Sequence, residues 1–537
     1  MSSRPEDRCA PRGSLTFDGP DLVTAPLPRR RFLGLTVGTA AAWLSGCGDD
    51  GPPAGDGTGT GETGSSSDGG STTDGGILDD TGTDTGIGSD TGTSDDGSDS
   101  TGETGEPACV DEGFEEDFDA EAIPTDDAVF PYAIMAGEMQ PTSALLAIQI
   151  PDAEPKQLRV WRPVEPEGTV LVVAEEEVVP DADGYAKVPL TGLCPGTWYR
   201  YAYFVGEPGS FTARSRIGEF RTALAEDSLE PLHIAISACN GDSFDWPALE
   251  RTADEYYDMF IHLGDMAYND GAFSLPEYRD SWRAYMSVEG FHRCYARAGL
   301  YATWDDHEID NNSNFDRETM DPMQLQKRQN AFDSYFELLP IEAEGPDYQL
   351  WRSFRWGLTA EIIVLDCRYE RRPSQGLYMS PEQMDWLEQR LLESPCHFKI
   401  IMNSVPITNM PLVWDVAAGD RWEGYPDSRG RLLALIDDNL ITNVWFLSGD
   451  FHTCFVSRIE PAGGLTANTY EIAVTGGRSN PLPDFLTGFD PPQFDYGVTV
   501  PRGCLLVFDP EANAVNVRFI DPETGEDLYN ETLSQVP

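Results

Sequence analysis

Short apolar runs that each end in a side chain able to bind a metal ion are the feature that most constrains this fold. Runs such as LHIAIS, FKIIMN and NVWFLSGDFH are typical of buried strands in α/β proteins. The side chains at or just beyond the ends of these runs are Cys239, Asp265, Tyr268, Asp306, His307, Asn403, Asp450 and His452. Ligands collect at the carboxyl ends of such strands, so residues about 200 positions apart are expected to converge on one cleft. The pattern predicts a hydrolase with two metal ions.

Length and net charge limit the class of protein. The 537 residues allow two or three domains with a large core. The net charge of -56 would repel the phosphate backbone of DNA or RNA, so no nucleic-acid binding is expected. A strongly acidic surface instead favours solubility and attracts cations.

The N-terminal segment, residues 1–47, predicts export. It contains a twin-arginine sequence, R-R-x-F-L, that starts at Arg29 and is followed by a modest apolar stretch. That stretch is too short for a stable membrane span, which needs about 20 apolar residues. It ends in L-S-G-C, which resembles a bacterial lipobox with Cys47 as the residue to be acylated; an ordinary cleaved signal is the alternative. The expected location is the periplasm, the cell surface or the medium, with membrane contact only through a lipid anchor on Cys47.

Residues 48–107 are expected to be a disordered tether. The segment consists mainly of Gly, Ser, Thr and Asp, contains no Lys or Arg, and has very few apolar side chains. Such a composition cannot bury enough surface to offset the entropy of ordering the chain.

Cysteine content is consistent with an oxidising compartment. Eight cysteines follow Cys47, and an even set in an exported protein usually forms disulfides. If Cys239 binds a metal ion, at least one other thiol stays unpaired. The sequence leaves the pairing open.

Two patterns divide the remaining chain. Residues 125–225 contain short strands at intervals near ten residues, separated by Pro and Gly, and this spacing predicts an all-β sandwich of the fibronectin or immunoglobulin type. In residues 230–537, apolar strands alternate with helical stretches such as SPEQMDWLEQRLLES, which begins with a Ser N-cap and Pro. Alternation of this kind predicts a layered α/β domain.

Three motifs carry the chemistry: GDMAY around Asp265, WDDHE around Asp306, and GDFH around Asp450. Together with ISACN, IIMNSVPI and LWRSFRWGLTAEIIVLDCRYER, they make residues 125–537 similar to the PhoD-like alkaline phosphatases and phosphodiesterases. That group belongs to the calcineurin-like metallophosphoesterase superfamily and is related to the purple acid phosphatases. The resemblance implies a four-layer α/β/β/α domain with a dinuclear metal centre, acting on phosphate esters as a monomer.

The resemblance also implies two ligand sets, one for Fe³⁺ and one for Ca²⁺. The iron ligands would be Cys239, Asp265, Tyr268 and His452, and the calcium ligands would be the bridging Asp265 with Asp306, Asn403 and Asp450. Thiolate, phenolate and imidazole suit a transition metal, whereas carboxylate and amide oxygens suit a hard cation. The segments SACNGD and AVTGGRSNP depart from the family pattern, which affects the expected substrate contacts more than metal binding.

A mechanism follows as a hypothesis. A metal-bound hydroxide would attack phosphorus, and His307 would assist the leaving alkoxide as a general acid, oriented by Glu308. Arg368 is the main candidate for a phosphate clamp, because a guanidinium group can bind phosphate through two hydrogen bonds. Arg371 and Arg372 are further candidates, and the alternative for all three arginines is a surface ion pair.

Two other functions compete with the phosphatase hypothesis. Enzymes with similar motifs include phospholipase D-like diesterases, and the sequence does not separate monoesters from diesters. A protein of a different class would be a calcium-stabilised, lipid-anchored surface binding protein whose metal site is inert. A competent side chain stands at every predicted ligand position, which favours an enzyme.

Overall fold

The computed structural model describes residues 109–312, 316–342 and 348–535. The twin-arginine sequence, Cys47 and the predicted tether lie outside the described residues. Among the described residues, no helix has both the length and the apolar character needed to cross a bilayer.

Up to about residue 245, the described residues form strands and one short 3₁₀ helix. After that point, helices lie between the strands. The strands are β1 (Phe114–Asp117), β2 (Met135–Gln140), β3 (Ser143–Gln149), β4 (Lys156–Val164), β5 (Thr169–Val178), β6 (Tyr185–Thr191), β7 (Trp198–Val205), β8 (Ala213–Arg214), β9 (Gly218–Arg221), β10 (Leu232–Ser237), β11 (Met259–His262), β12 (Gly299–Ala302), β13 (Arg352–Trp356), β14 (Ala360–Val364), β15 (Phe398–Met402), β16 (Val444–Ser448), β17 (Cys454–Arg458), β18 (Tyr470–Ala473), β19 (Phe494–Val498), β20 (Gly503–Asp509), β21 (Ala514–Ile520) and β22 (Asp527–Leu533). The α-helices are α1 (Pro247–Thr252), α2 (Leu275–Met286), α3 (Glu289–Arg297), α4 (Pro322–Leu338), α5 (Pro381–Glu393), α6 (Pro426–Asp438) and α7 (Asp484–Thr487). Short 3₁₀ helices lie at Ala120–Ala122, Pro373–Gln375, Leu412–Asp420 and Trp422–Gly424.

Helix starts are fixed by local sequence, as predicted for the SPEQMDWLEQRLLES segment. α5 begins at Pro381, and the Ser380 hydroxyl accepts a hydrogen bond of 3.1 Å from the backbone N–H of Gln383. α4 begins in the same way, since the Asp321 carboxylate accepts from the backbone N–H of Gln324 at 2.9 Å. These caps satisfy N–H groups that have no partner within the first helical turn.

Two sheets form the inner layers of the α/β region. One sheet has nine strands in the order β22-β21-β20-β10-β11-β12-β2-β3-β6, and β10, β11 and β12 run parallel. The other has seven strands in the order β13-β14-β15-β16-β18-β17-β19, with β14, β15, β16 and β18 parallel. Their facing side chains make one core, which includes Ile234, Ile236 and Ile261 from the first sheet and Ile362, Ile400 and Leu447 from the second.

Helices cover the outer faces of both sheets. Successive side chains of a strand point to opposite faces, so Ala235 and Phe260 pack outward against helix residues such as Trp282 of α2. Leu387 of α5 and Leu432 of α6 pack on the outer face of the second sheet. The resulting order is helix, sheet, sheet, helix, and the predicted four-layer α/β/β/α class is confirmed.

The predicted β-sandwich is present, and one of its sheets is shared. A six-stranded antiparallel sheet contains β1, β5, β4, β7, β8 and β9, and its Leu158 and Tyr201 pack against Leu146 of β3. Strands β2, β3 and β6 form the opposite sheet, and β2 also pairs with β12 at Leu300 and Gly137. Hydrogen bonding is therefore continuous across the domain boundary predicted between residues 225 and 230.

Candidate metal centre

The predicted donor residues lie at the carboxyl ends of parallel strands in the two inner sheets. They follow β10 (Cys239), β11 (Asp265 and Tyr268), β12 (Asp306 and His307), β15 (Asn403) and β16 (Asp450 and His452). Seven of these side chains are buried, and that of Asp450 is 11% exposed. The parallel strands of each sheet end on the same side, so their last residues face one region.

Left-handed backbone conformations occur at four of the donors. The φ angle is 53° at Cys239, 54° at Asp265, 64° at Asp450 and 51° at His452. Residues other than glycine are uncommon in this region, and Cys is rarer there than Asp or His. Each such residue breaks the alternation of the strand before it and so redirects the chain at the edge of the sheet.

Gly264 allows two of the donor loops to touch. Its φ is 101°, and a Cβ atom there would lie 2.6 Å from the backbone nitrogen of Asp305. No larger residue fits this contact without a shift of the backbone. The glycine of the GDMAY motif therefore brings the loop of Asp265 against the WDDHE loop.

One group of donors combines sulfur, nitrogen and oxygen. One ligand atom from each of Cys239, Asp265 and His452 lies within 4.8 Å of the other two. The Tyr268 hydroxyl lies 3.3 Å from Asp265 Oδ2 and 3.2 Å from His452 Nε2. The structure thus brings together all four side chains of the predicted iron site.

The other group consists mainly of carboxylates. Oxygen atoms of Asp305, Asp306 and Asp450 lie within 4.8 Å of one another, and Asp265 and Asp306 form a similar group with His307. Burial, followed by the charges of neighbouring carboxylates, raises the pKa of Asp265 well above its usual value. Burial also raises the pKa of Asp306 and Asp450, and the charge of Arg368 only partly opposes this effect.

Asn403 directly precedes Ser404, whose hydroxyl donates to Asp305 Oδ1 at 3.0 Å, but the amide oxygen of Asn403 already accepts hydrogen bonds. Asn403 Oδ1 accepts from Trp422 Nε1 at 2.8 Å and from Cys367 Sγ at 3.1 Å. An indole N–H can only donate, so this contact identifies the amide oxygen. Its role as a calcium ligand stays a prediction.

Arg368 has a different environment from the one expected of a phosphate clamp. Its side chain is 2% exposed and contacts Asp305 Oδ1 at 2.5 Å, Asp420 Oδ1 at 2.6 Å and Asp450 Oδ1 at 2.8 Å. Arg371 also contacts Asp420, at 3.1 Å. The guanidinium of Arg368 therefore compensates buried carboxylates, which explains why its pKa is raised by those charges against the effect of burial.

His307 is held by Asp270 rather than by Glu308. His307 Nδ1 lies 2.8 Å from Asp270 Oδ2, and the imidazole contacts the Tyr268 ring with 3.7 Å between centroids and 32° between the ring planes. Burial lowers the pKa of His307, but the charges of Asp306 and Asp270 outweigh this effect, so the pKa is raised.

Glu308 instead holds the backbone of the donor loops. Its carboxylate accepts from the backbone N–H groups of Asp265 at 2.9 Å, Met266 at 2.5 Å and Asp305 at 2.7 Å. Among the described contacts of Glu308, none joins its carboxylate to the His307 ring. Three N–H groups thus occupy the Glu308 oxygens, and the orienting role of Glu308 stays a prediction.

Four residues of the site were missed by the sequence interpretation. Asp305 and Asp270 had a usable signal, since they stand beside Asp306 and just after the GDMAY motif. Arg478 follows β18 in the same way that other site residues follow their strands. Asp420 lies at the end of a 3₁₀ helix and had no local signal.

The donors fit two cations of different character. Four carboxylates lie close together, of which Asp265, Asp305 and Asp306 are buried and Asp450 is 11% exposed, and Arg368 supplies a single positive charge among them. Buried charges are stable only when they are paired or bind metal ions. The thiol, phenol and imidazole suit a transition metal on one side, and the carboxylates suit a hard cation on the other.

Comparisons with known proteins agree with this arrangement. A family model described as PhoD-like phosphatase matches residues 234–487. Alkaline phosphatase D of Bacillus subtilis (strain 168) is 26% identical over 324 residues, which are 51% of this chain and 54% of that protein. The match therefore spans about half of the length of that relative.

Solved structures share the fold. A structure of PhoD superposes with a TM-score of 0.63 at 20% identity, covering 75% of this chain and 89% of that chain. A purple acid phosphatase from yellow lupin (Lupinus luteus) seeds gives a TM-score of 0.53 at 15% identity, covering 76% and 75%. Residues 234–487 are therefore similar to PhoD-like phosphatases, as the sequence motifs predicted.

Proposed function

We propose that this chain is an exported, metal-dependent phosphoric ester hydrolase. The observation that carries the proposal is the convergence of Cys239, Tyr268 and His452 on one side of Asp265, with carboxylates on the other side. The similarity of residues 234–487 to PhoD-like phosphatases supports the same reaction class. Export rests on the twin-arginine sequence that starts at Arg29 and on Cys47 as a lipid anchor.

The proposed cations are Fe³⁺ and Ca²⁺. Cys239, Asp265, Tyr268 and His452 would hold the iron, and Asp265 would also contact the calcium ion. Asp306 and Asp450, with Asn403 as a further ligand, would complete the calcium site. Two such cations supply a hydroxide nucleophile at neutral pH and neutralise charge on the phosphoryl oxygens.

The proposed proton donor is His307. An ionised carboxylate only accepts hydrogen bonds, so Asp270 fixes the proton on Nδ1 and leaves Nε2 to serve the leaving alkoxide. Burial raises the pKa of Asp270, but the hydrogen bond and charge of His307 outweigh it and keep the pKa low. His307 and Asp270 thus form an acid and its positioning residue.

Hydrolysis of two chromogenic esters tests the proposal. The full chain is assayed with p-nitrophenyl phosphate and with bis(p-nitrophenyl) phosphate, and its metal content is measured by mass spectrometry. Iron and calcium together with turnover support the hydrolase. Stoichiometric calcium without turnover on either ester or on phospholipid vesicles would instead favour the surface binding protein.

Single substitutions connect the activity to the site. Asp265→Asn is expected to abolish turnover and lower the metal content, because Asp265 belongs to both donor groups. His307→Ala is expected to keep the metal ions and slow turnover by about 10²–10⁴. Arg431→Ala is the control, since Arg431 is 45% exposed and pairs only with surface carboxylates of α5 among its described contacts. Full activity of Asp265→Asn would remove that residue from the mechanism.

A further inference from the structure

We propose that Arg478 binds two non-bridging oxygens of the substrate phosphoryl group and thereby favours phosphate monoesters over diesters. The inference rests on the proposed hydrolase function and adds a substrate class to it. Arg478 lies in the segment TGGRSNP, where the sequence departs from the family pattern.

The backbone of Arg478 is fixed against the loop of a metal-ligand candidate. Its N–H donates to the Cys239 carbonyl at 3.0 Å, and the preceding Gly477 donates to the same oxygen at 3.2 Å. A Cβ atom on Gly477 would lie 2.0 Å from the carbonyl oxygen of Asn240, so only glycine permits this approach. The position of Arg478 at the edge of the first donor group is therefore built into the fold.

The guanidinium of Arg478 lies over the first donor group. Its central carbon is 5.2 Å from the centroid of the Tyr268 ring. The Tyr268 ring in turn contacts the imidazole of His307, and its hydroxyl contacts Asp265 and His452. The positive charge of Arg478 therefore lies next to the Tyr268 ring, which itself contacts the proposed iron ligands and the proposed proton donor.

Two further arginines, Arg368 and Arg371, lie in a different part of the cleft. Arg368 contacts the carboxylates of Asp305, Asp420 and Asp450. Arg371 Nη1 contacts Asp420, and its Nε donates to the Cys367 carbonyl at 3.0 Å. Both lie on the carboxylate side of the centre, whereas Arg478 lies on the side of Tyr268 and His452.

The chemistry of the ester explains the expected preference. A planar guanidinium group binds two oxygens through parallel hydrogen bonds, and its benefit grows with the negative charge on those oxygens. A monoester dianion has three non-bridging oxygens, whereas a diester has two and a single charge. With two of the non-bridging oxygens near the cations, Arg478 would bind the third oxygen of a monoester and share one of the other two. A diester has no third oxygen, so Arg478 would have only oxygens that the cations already contact.

Kinetics of Arg478→Ala and Arg478→Lys test the assignment. For p-nitrophenyl phosphate, Arg478→Ala is expected to raise KM and the inhibition constant of inorganic phosphate by about 10-fold to 100-fold, the usual effect of losing a charged hydrogen bond. For the bis ester, kcat/KM is expected to change by less than about threefold. Arg478→Lys should recover part of the phosphate affinity, because it keeps the charge and loses the planar fork.

Metal content, together with the kinetics of both esters, distinguishes binding of the substrate by Arg478 from a purely structural role. Arg478→Ala should retain the metal content of the wild type, and Arg431→Ala should match the wild type throughout. Equal losses on both esters, or loss of metal ions, would assign Arg478 a structural role and overturn the proposal. An unchanged inhibition constant for phosphate would overturn it as well.

The same variants separate this inference from the proposed function. If the wild type hydrolyses neither ester, the hydrolase proposal fails. Titration calorimetry of inorganic phosphate into the metal-loaded protein then still decides the binding role of Arg478. Weaker binding by Arg478→Ala than by Arg431→Ala supports that role, and equal binding refutes it.

Discussion

Individual residues at the centre of the site have unfavourable backbone conformations that the surrounding contacts hold in place. A left-handed conformation costs a residue other than glycine on the order of 1–2 kcal/mol. At Cys239, the backbone N–H donates to the Gly264 carbonyl at 3.2 Å, and the carbonyl accepts from Arg478. Such conformations occur at functional sites when neighbouring structure fixes them. The loops of Cys239 and Asp265 therefore restrain one another.

Asp270→Asn tests the positioning of the imidazole at this scale. An amide can present its N–H₂ group to His307 Nδ1 and stabilise the wrong tautomer, so turnover should fall by about 10-fold to 100-fold, less than the largest effects of His307→Ala. Metal content should stay constant, because Asp270 belongs to neither donor group found among the described residues. Steady-state kinetics with metal analysis provide the check. An unchanged kcat would show that Asp270 does not position the imidazole of His307.

Sequence alone predicted the donors of this site better than their supporting residues. Cys239, Asp265 and His452 were predictable because each directly follows a buried strand, and strand ends converge. The partner of His307 was not predictable. Asp270 contacts it from another loop, and the periodicity of apolar residues gives no information on contacts between loops. The environment of Arg368 depends on Asp420, whose approach is set by tertiary packing.

At the scale of elements, a disulfide ties the start of the described chain to the β-sandwich. Cys109 and Cys194 are bonded across a separation of 85 residues, and Asp111 accepts hydrogen bonds from the Cys194 N–H and the Tyr199 hydroxyl. Closing a loop of this length stabilises a protein by about 4 kcal/mol in the chain-entropy treatment. The bond therefore anchors β1 to the segment before β7.

Cys194→Ser should consequently lower the thermal stability of the sandwich without altering turnover. A loss of about 4 kcal/mol corresponds to a decrease in Tm of roughly 16–32 °C for a domain of about 100 residues, which is the length of the predicted sandwich. Calorimetry with and without reductant provides the measurement. Reductant should lower the Tm of the wild type to that of the variant and leave the variant unchanged; a wild type insensitive to reductant would contradict the prediction.

The elements themselves were largely predictable, but their assignment to sheets was not. Continuous apolar runs identified β10, β15 and β16, and regular spacing identified the strands of the sandwich. Pairing of β2 with β12 involves Gly137 and Leu300, which lie 163 positions apart in sequence. Alternation of side chains specifies a buried face and not the neighbouring strand.

At the scale of the whole molecule, a strongly acidic chain places carboxylates where cations are expected. The net charge is -56, and Asp265, Asp306 and Asp450 each belong to a group of potential metal ligands. Burial raises the pKa of each, and neighbouring carboxylates raise it further. The folded protein without cations therefore binds protons at these groups more tightly than the unfolded chain does.

Removal of the metal ions should accordingly destabilise the protein most at alkaline pH. A carboxyl group whose pKa is raised on folding stabilises the fold when protonated, and this contribution is lost as pH rises above about 4, the usual value for Asp. Bound cations reverse the dependence because they bind the ionised form. The difference in Tm between metal-loaded and chelator-treated protein should therefore be larger at pH 8 than at pH 5, on the order of 5–10 °C at pH 8. Differential scanning calorimetry measures it; a difference that is constant or that shrinks with rising pH would mean that the buried carboxylates are not the cation ligands.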